Sequence, residues 1–338
     1  MKNVNVAIVG ATGAVGQEFL RLFETRNFPV GSLKLLASSR SVGRRYVFKQ
    51  NIVEVEELSA EAFDGVDVAF FSAGASRSRE FVPAALKAGA LVVDNSSAYR
   101  MDDGVPLVVP EINGDLITKE QKLYPVANCS AIILLMGVAP LRSLGTIERL
   151  IVSTYQSASG AGAAAMQELE VQTRAVLAGE DPIKSVLPHI YAFNLFSHNT
   201  AINEFGYNEE EWKVIAESRK ILNMPDLKIN VTCVRVPVPR AHSESITVEF
   251  AGPAPSEESV RAVLSKMDGV RLVDDREANC FPMPRDASGG DDVLVGRIRK
   301  DVSNPNALCL FVSGDQLLKG AALNALQIAE TYLAKFGG

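Results

Sequence analysis

A chain of 338 residues exceeds one ordinary hydrophobic core and predicts two domains, each large enough to fold. Its 47% hydrophobic and 22% charged residues exclude a disordered or fibrous protein. A net charge of -6, with basic residues dispersed apart from Arg40, Arg44 and Arg45, argues against nucleic acid or an anionic membrane as partner.

The chain opens directly on a strand pattern, "VNVAIVG", with no signal-peptide features around it. Downstream, "AVGQEFLRLFETR" has helical periodicity, "LKLLAS" reads as a strand, and "VDVAFFSA", "SREFVPAALKAG" and "ALVVDNSS" continue as strand, helix and strand. Such alternation predicts a parallel sheet covered by helices. From about residue 150 the pattern changes to "RLIVSTYQ", a helix over "AAAMQELEVQTRAVLAG", and strands near "KINVTCVRVPV", "ESITVEFAG" and "GVRLVDD". Grouped strands predict an α+β second domain with a mixed or antiparallel sheet. The end reads as a strand, a tight turn and an amphipathic helix, in "CLFVSGDQLLKGAALNALQIAETYLAKF". The longest apolar run, "AIILLMGVAPL", is broken by Gly137 and Pro140 and falls short of the ~18 residues that span a bilayer. Four cysteines, at 129, 233, 280 and 309, show no C-x-x-C and no His/Cys ligand spacing. The expectation is a cytoplasmic protein with reduced thiols and no metal.

Glycines at 10, 13 and 16 follow the first strand and open a helix. Gly10 permits a tight turn, Gly13 a close backbone approach to a pyrophosphate, and Gly16 close helix packing, which together predict dinucleotide binding at a helix N-terminus. The second strand ends in Ala37, Ser38, Ser39 and Arg40, without the carboxylate that would hold an NAD ribose. Hydroxyls and a guanidinium suit a 2'-phosphate and point to NADP, the alternative being an Arg40 that only solvates a loop.

"PVANCSAIILLMGVAP" places Cys129 after Asn128, a good N-cap, at the start of a buried helix. A cysteine is usually packing material, but in a first helical turn the dipole and the N–H groups favour a thiolate and can hold an oxyanion. Cys233 and Cys309, each inside an apolar strand pattern, read as core residues. A thiolate beside a nicotinamide suggests a thioester formed from an acyl phosphate, or a thiohemiacetal formed from an aldehyde. Such chemistry needs an acid or base. His189 and His198 read as structural imidazoles, and His242 in "VPRAHSES" sits just after a strand, in a turn where a satisfied histidine is the ordinary reading. Arg235 interrupts an apolar strand and needs an anionic partner if buried.

Over nearly its full length the chain resembles aspartate-semialdehyde dehydrogenases, through "GATGAVG", "DNSSAYR", "NCSAI", "QSASGAG", "AFNLFSHN", "EEWK", "CVRVPVPRAHSES" and "GDQLLKGAA" in that order. The resemblance implies an NADP-binding Rossmann-like domain over 1–127, to which 313–338 returns, and a catalytic and dimerisation domain over 128–312. It implies NADPH-dependent reduction of 4-phospho-L-aspartate to aspartate 4-semialdehyde, with release of inorganic phosphate, in a homodimer or tetramer. Cys129 is then the nucleophile, His242 the general acid/base and Gln156 the group that orients the acyl. Arg235 holds the substrate carboxylate, Glu210 its ammonium, Arg100 and Lys213 the phosphate, and Asn128 the acyl phosphate. Thr12, Gly13, Ala14 and Val15 fall to the pyrophosphate, Ser39 and Arg40 to the 2'-phosphate, and Ser159, Gly160 and Gln316 to the nicotinamide end. Arg100 and Lys213 also read as solvated charges, and Glu210 with Lys213 as an ordinary helix pair. The family pattern is not met everywhere: Ala131 stands where threonine is common, and "LFSHN" replaces a segment often reading "IPQ". Among rivals, an N-acetyl-glutamyl-phosphate reductase has no use for Glu210, a short-chain dehydrogenase needs a Tyr-x-x-x-Lys pair that is missing, and an NADP-binding sensor needs no thiol.

Overall fold

The computed structural model describes residues 2–337, which divide into two compact units, one of residues up to 127 together with those from 321, the other of residues 128–320. In the first unit seven strands form one sheet: β1 (Val4–Val9), β2 (Val30–Ala37), β3 (Arg45–Phe48), β4 (Asn51–Glu57), β5 (Val68–Phe71), β6 (Leu91–Asp94) and β7 (Leu123–Pro125). Their order is β3-β4-β2-β1-β5-β6-β7, parallel throughout except for the edge pair β3 and β4. Helices α1 (Ala14–Thr25), α2 (Ala75–Lys87) and the short α3 (Pro110–Asn113) connect them.

Strand β5 shows why its sequence reads as one apolar run. Phe70 packs on Phe19 of α1 with ring centroids 4.6 Å apart, and Phe71 stacks on Phe63 at 5.6 Å, so successive side chains bury on opposite faces. The β3–β4 hairpin was not among the expected strands. Its turn residues, Lys49 and Gln50, have φ of 46° and 66°, a left-handed turn made without the Asn-Gly or Asp-Gly pair that marks such hairpins in sequence.

The second unit begins with α4 (Cys129–Val138), followed by β8 (Ile147–Gln156), α5 (Ala163–Leu177), β9 (Phe196–Ser197), α6 (Glu209–Leu222), β10 (Lys228–Arg235) and β11 (His242–Phe250). Then come α7 (Glu257–Leu264), β12 (Val270–Leu272), α8 (Pro284–Ala287), β13 (Val293–Lys300) and β14 (Ala307–Gly314). The mixed sheet runs β12-β13-β14-β11-β8-β10-β9, with β8 and β10 parallel and β11 antiparallel to β8 and β14. Helix α4 is apolar all round because it is buried all round, with Ile132 to Met136 fully inaccessible. The chain returns to the first unit as α9 (Leu323–Phe336), where Asn324 donates to the Val108 carbonyl at 3.0 Å.

Two expectations change here. The return begins at 321 and not 313, because Ser313 and Gly314 complete β14 and a π-helical turn, Leu318–Ala322, replaces the tight turn. Cys309 is only half-buried, with its sulfur 3.5 Å from the Thr247 hydroxyl, whereas Cys233 is fully buried.

Glu244 on β11 is fully buried, and neither carboxyl oxygen has a hydrogen-bond partner among the described residues. Burial raises its pKa well above the usual glutamate value. A raised folded-state pKa adds stability that is complete below the unfolded value and is lost as pH climbs toward the folded one, by up to about 1.4 kcal/mol per pH unit. Glu244→Gln removes that proton linkage. Melting temperatures of the two proteins should converge near pH 4.5 and diverge in the variant's favour toward pH 8; parallel curves would show that Glu244 titrates normally.

Candidate active site

The glycine turn sits where the sequence puts it. Gly10 has φ of 86°, and a Cβ there would run into the Ser72 carbonyl, while one at Gly16 would run into the carbonyl of Gly10. Gly13 is the N-cap of α1 and supplies no side-chain cap, which leaves the N–H groups of the first turn uncapped for an anion. A cavity of about 590 Å³ opens over this turn, lined by Gly10, Thr12, Gly13, Ser39 and Arg40 among others. Glu57, which ends β4 beside Ala37, lines the same cavity, and Arg77 on its wall is ion-paired to Glu80 at 2.7 Å. The cavity's anion-binding helix start and its hydroxyl and guanidinium groups fit a dinucleotide. Also in the first unit, the loop after β6 is ordered by Asp94, whose carboxylate accepts from Ser78 and Ser96; it carries Arg100, nearly buried, whose Nη2 donates to the Asn95 carbonyl at 3.0 Å.

Cys129 is the first residue of α4, and the Asn128 side-chain oxygen caps that helix by accepting from Ser130 N at 2.9 Å and Ala131 N at 3.3 Å. Two N–H groups expected to serve an oxyanion are therefore engaged by the cap. The Asn128 amide donates to Glu210 Oε1 at 2.9 Å, and the Gln156 amide reaches the same oxygen at 3.0 Å. Burial opposes ionisation of Glu210, but the carboxyl is held below its usual pKa, the two amides and the Lys213 ammonium favouring its charged form. Lys213 makes its ion pair with Glu209, at 2.7 Å, one helical turn away, and not with Glu210.

His242 is the first residue of β11 and fully buried, not a residue of a turn; the turn ends at Ala241, whose φ is 71°. The Ser157 backbone N–H donates to its Nδ1 at 3.0 Å, and the Ser157 hydroxyl lies at the same distance. A backbone N–H can only donate, so neutral His242 carries its proton on Nε2, a buried atom with no hydrogen-bond partner. Burial first, and then the Arg235 charge, push its pKa down to about 3. A Cβ at Gly160 would stand 3.0 Å from that Nε2, and one at Gly320 would stand 2.8 Å from the Cys129 Cβ and 3.3 Å from the Gln316 Cβ. Gln316 accepts from Ala241 N at 3.0 Å and donates to Ser159 Oγ, tying the expected nicotinamide-end residues to the histidine strand.

Arg235 is 5% exposed. Its Nη2 lies 2.8 Å from His198 Nε2, its Nη1 donates to the Ser157 carbonyl at 3.3 Å, and its buried Nε has no hydrogen-bond partner. Among the described residues no carboxylate lies within ion-pair distance of it, so the anionic partner that a buried arginine needs is not supplied by them. Thus Asn128, Gln156, Ser159, Gly160, Glu210, Arg235, His242 and Gln316 are linked by hydrogen bonds within the second unit, directly or through Ser157, His198 and Thr200, and Cys129 follows Asn128 in the chain and packs on Gly320. The sequence does not single out Ser157, inside "QSASGAG", and His198 reads there as a structural imidazole. Among the described residues no cluster of three metal-ligating side chains forms, and no helix is long and apolar enough to cross a membrane.

Residues 5–120 match the family described as "Semialdehyde dehydrogenase, NAD binding domain", and residues 138–319 match "Semialdehyde dehydrogenase, dimerisation domain". The aspartate-semialdehyde dehydrogenase of Synechocystis sp. is 51% identical over 97% of this chain and 96% of its own. The crystal structure of aspartate semialdehyde dehydrogenase II from Vibrio cholerae complexed with ASA superposes with a TM-score of 0.96 at 40% identity, covering 99% of this chain and 100% of that one. That of the Candida albicans enzyme with NADP superposes with a TM-score of 0.76 at 25% identity, covering 99% of both chains. A nicotinamide-dinucleotide domain followed by a dimerisation domain, matched in order and along the whole length, means that the chain belongs to the aspartate-semialdehyde dehydrogenase family.

Proposed function

We propose that the protein catalyses the reversible, NADPH-dependent conversion of 4-phospho-L-aspartate to L-aspartate 4-semialdehyde and phosphate, a step toward lysine, methionine, threonine and isoleucine. One observation carries the substrate assignment: Glu210 and Arg235 are both buried, carry opposite charges, and are not paired with each other. Buried charges need partners, and the ammonium and carboxylate of an α-amino acid supply both. An N-acylated substrate would leave Glu210 uncompensated.

In the biosynthetic direction the Cys129 thiolate attacks the acyl carbon, the carbon–oxygen bond to phosphate breaks, and a thioester forms. A nicotinamide bound to this protein would supply hydride to that carbon. The Nε2–H of His242 donates to the oxygen that gains negative charge, which is the acid half of its expected role; re-formation of the carbonyl then breaks the carbon–sulfur bond, releasing the aldehyde and returning Cys129 to its thiolate. Gln156 orients the acyl group, and Asn128 acts through the α4 cap and Glu210, where its side chain is engaged. Arg100 and Lys213 are assigned to phosphate by the family pattern. Ser39 and Arg40 at the dinucleotide cavity support NADP. A homodimer or tetramer built through the second domain fits the dimerisation-domain match, and a cytoplasmic location fits four cysteines that form no disulfide.

The test is NADP reduction by aspartate semialdehyde with and without phosphate, run alongside NAD. We expect strict phosphate dependence and a kcat/KM for NADP at least about tenfold above that for NAD. Turnover without phosphate would remove acyl transfer to phosphate, and equal use of NAD would shift cofactor choice to Glu57.

A further inference from the structure

We propose that His198 is a positioning residue for substrate recognition, a neutral acceptor that fixes the Arg235 guanidinium while leaving its positive charge for the substrate carboxylate. The proposal deepens, and rests on, the reading of Arg235 as the carboxylate-binding group.

The geometry is built from both sides. Strand β9 pairs antiparallel with β10, Phe196 opposite Arg235, and the His198 backbone N–H donates to the Cys233 carbonyl at 2.9 Å. The His198 carbonyl accepts from the Asn208 amide, and Asn208 caps α6, the helix that carries Glu210. The imidazole is thereby held between the arginine strand and the carboxylate helix. Its Nε2 stands 2.8 Å from Arg235 Nη2, and a guanidinium can only donate, so Nε2 accepts and the ring proton lies on Nδ1. Nδ1 faces the Thr200 hydroxyl at 3.3 Å, which also accepts from the Glu210 N–H. With the Ser157 carbonyl on Nη1, both terminal nitrogens of the guanidinium are anchored by uncharged groups.

The chemical type of this anchor matters. A glutamate at 198 would position the guanidinium equally well but would neutralise it and compete with the incoming carboxylate. A neutral acceptor restrains without competing. Burial keeps the imidazole uncharged by pushing its pKa down to about 4; the charges facing it are Arg235 on β10 and Glu209, Glu210 and Lys213 on α6.

Three variants test this: H198Q, which keeps a neutral acceptor; H198A, which removes it; and H198E, which replaces it by an anion. KM and kcat are measured for aspartate semialdehyde, phosphate and NADP, and again with 3-aminopropanal, which lacks the carboxylate. H198A should raise KM for aspartate semialdehyde about tenfold, H198E more, and H198Q less than about threefold, with KM for NADP and phosphate and all rates on 3-aminopropanal little changed. Should H198A fail to fold, H198E against H198Q, two side chains of equal length, decides the question. An unchanged KM in H198A and H198E, equal losses in H198Q and H198E, or equal losses on 3-aminopropanal would overturn the role of His198. A wild-type enzyme inactive on aspartate semialdehyde would instead overturn the activity beneath it.

Discussion

Cys129→Ser should lower kcat by about four orders of magnitude or more while leaving NADPH affinity within about twofold. The reason lies in the state of the neighbouring histidine. Neutral His242 keeps its proton on Nε2, because Nδ1 accepts from the Ser157 backbone N–H. An imidazole in that tautomer donates but cannot take a proton at Nε2, and burial holds its pKa down to about 3. The site therefore offers its nucleophile a helix N-terminus and no base at Nε2, a setting that suits a thiol. A serine hydroxyl, whose proton is far harder to remove, finds no acceptor in this histidine. Cofactor affinity should survive because the cavity over the glycine turn, with Ser39 and Arg40, is lined by residues from Gly10 to Phe81, and Cys129 is not among them. Stopped-flow reduction and NADPH fluorescence titration measure the two quantities, and mass spectrometry of the wild type during turnover should show an acyl adduct on Cys129. A serine enzyme within tenfold of wild type would remove the covalent scheme.

What the sequence disclosed follows the range of the interactions involved. The glycine turn and the Asn128 cap of Cys129 are made by residues within a few positions of each other, so their signals are local and the structure places them as read. Arg235 was recognisable as anomalous because one charge breaks an apolar strand. Its partner was not recognisable, since His198 lies 37 residues away on a segment anchored by a strand of two residues, too short to leave a period. His242 reads as a turn residue because Pro237, Pro239 and Ser243 surround it, whereas the strand resumes immediately after Ala241 adopts a left-handed conformation. Ser157 leaves little signal because its N–H and carbonyl, which residue type does not reveal, hold His242 and Arg235 alongside its hydroxyl.

Arg235→Lys should reduce kcat/KM for aspartate semialdehyde by about 100- to 1,000-fold, equivalent to about 2.7–4 kcal/mol, chiefly through KM. The substitution keeps the formal charge, so the loss measures geometry. The guanidinium is held at Nη1 by the Ser157 carbonyl and at Nη2 by His198, 2.8 Å away, with the buried Nε still without a partner. A planar fork can be anchored at two nitrogens and still present N–H groups to both oxygens of a carboxylate. A lysine has one nitrogen and a round, strongly hydrated head, so it cannot satisfy two anchors and two carboxylate oxygens together. Burial adds a second penalty, because an ammonium in this setting loses its proton far more readily than a guanidinium. The variant should therefore lose further substrate affinity as pH rises, over a range in which wild-type KM is flat. KM for NADP should not move. A loss confined to kcat would place Arg235 in the chemical step, and a change below threefold would remove it from carboxylate recognition.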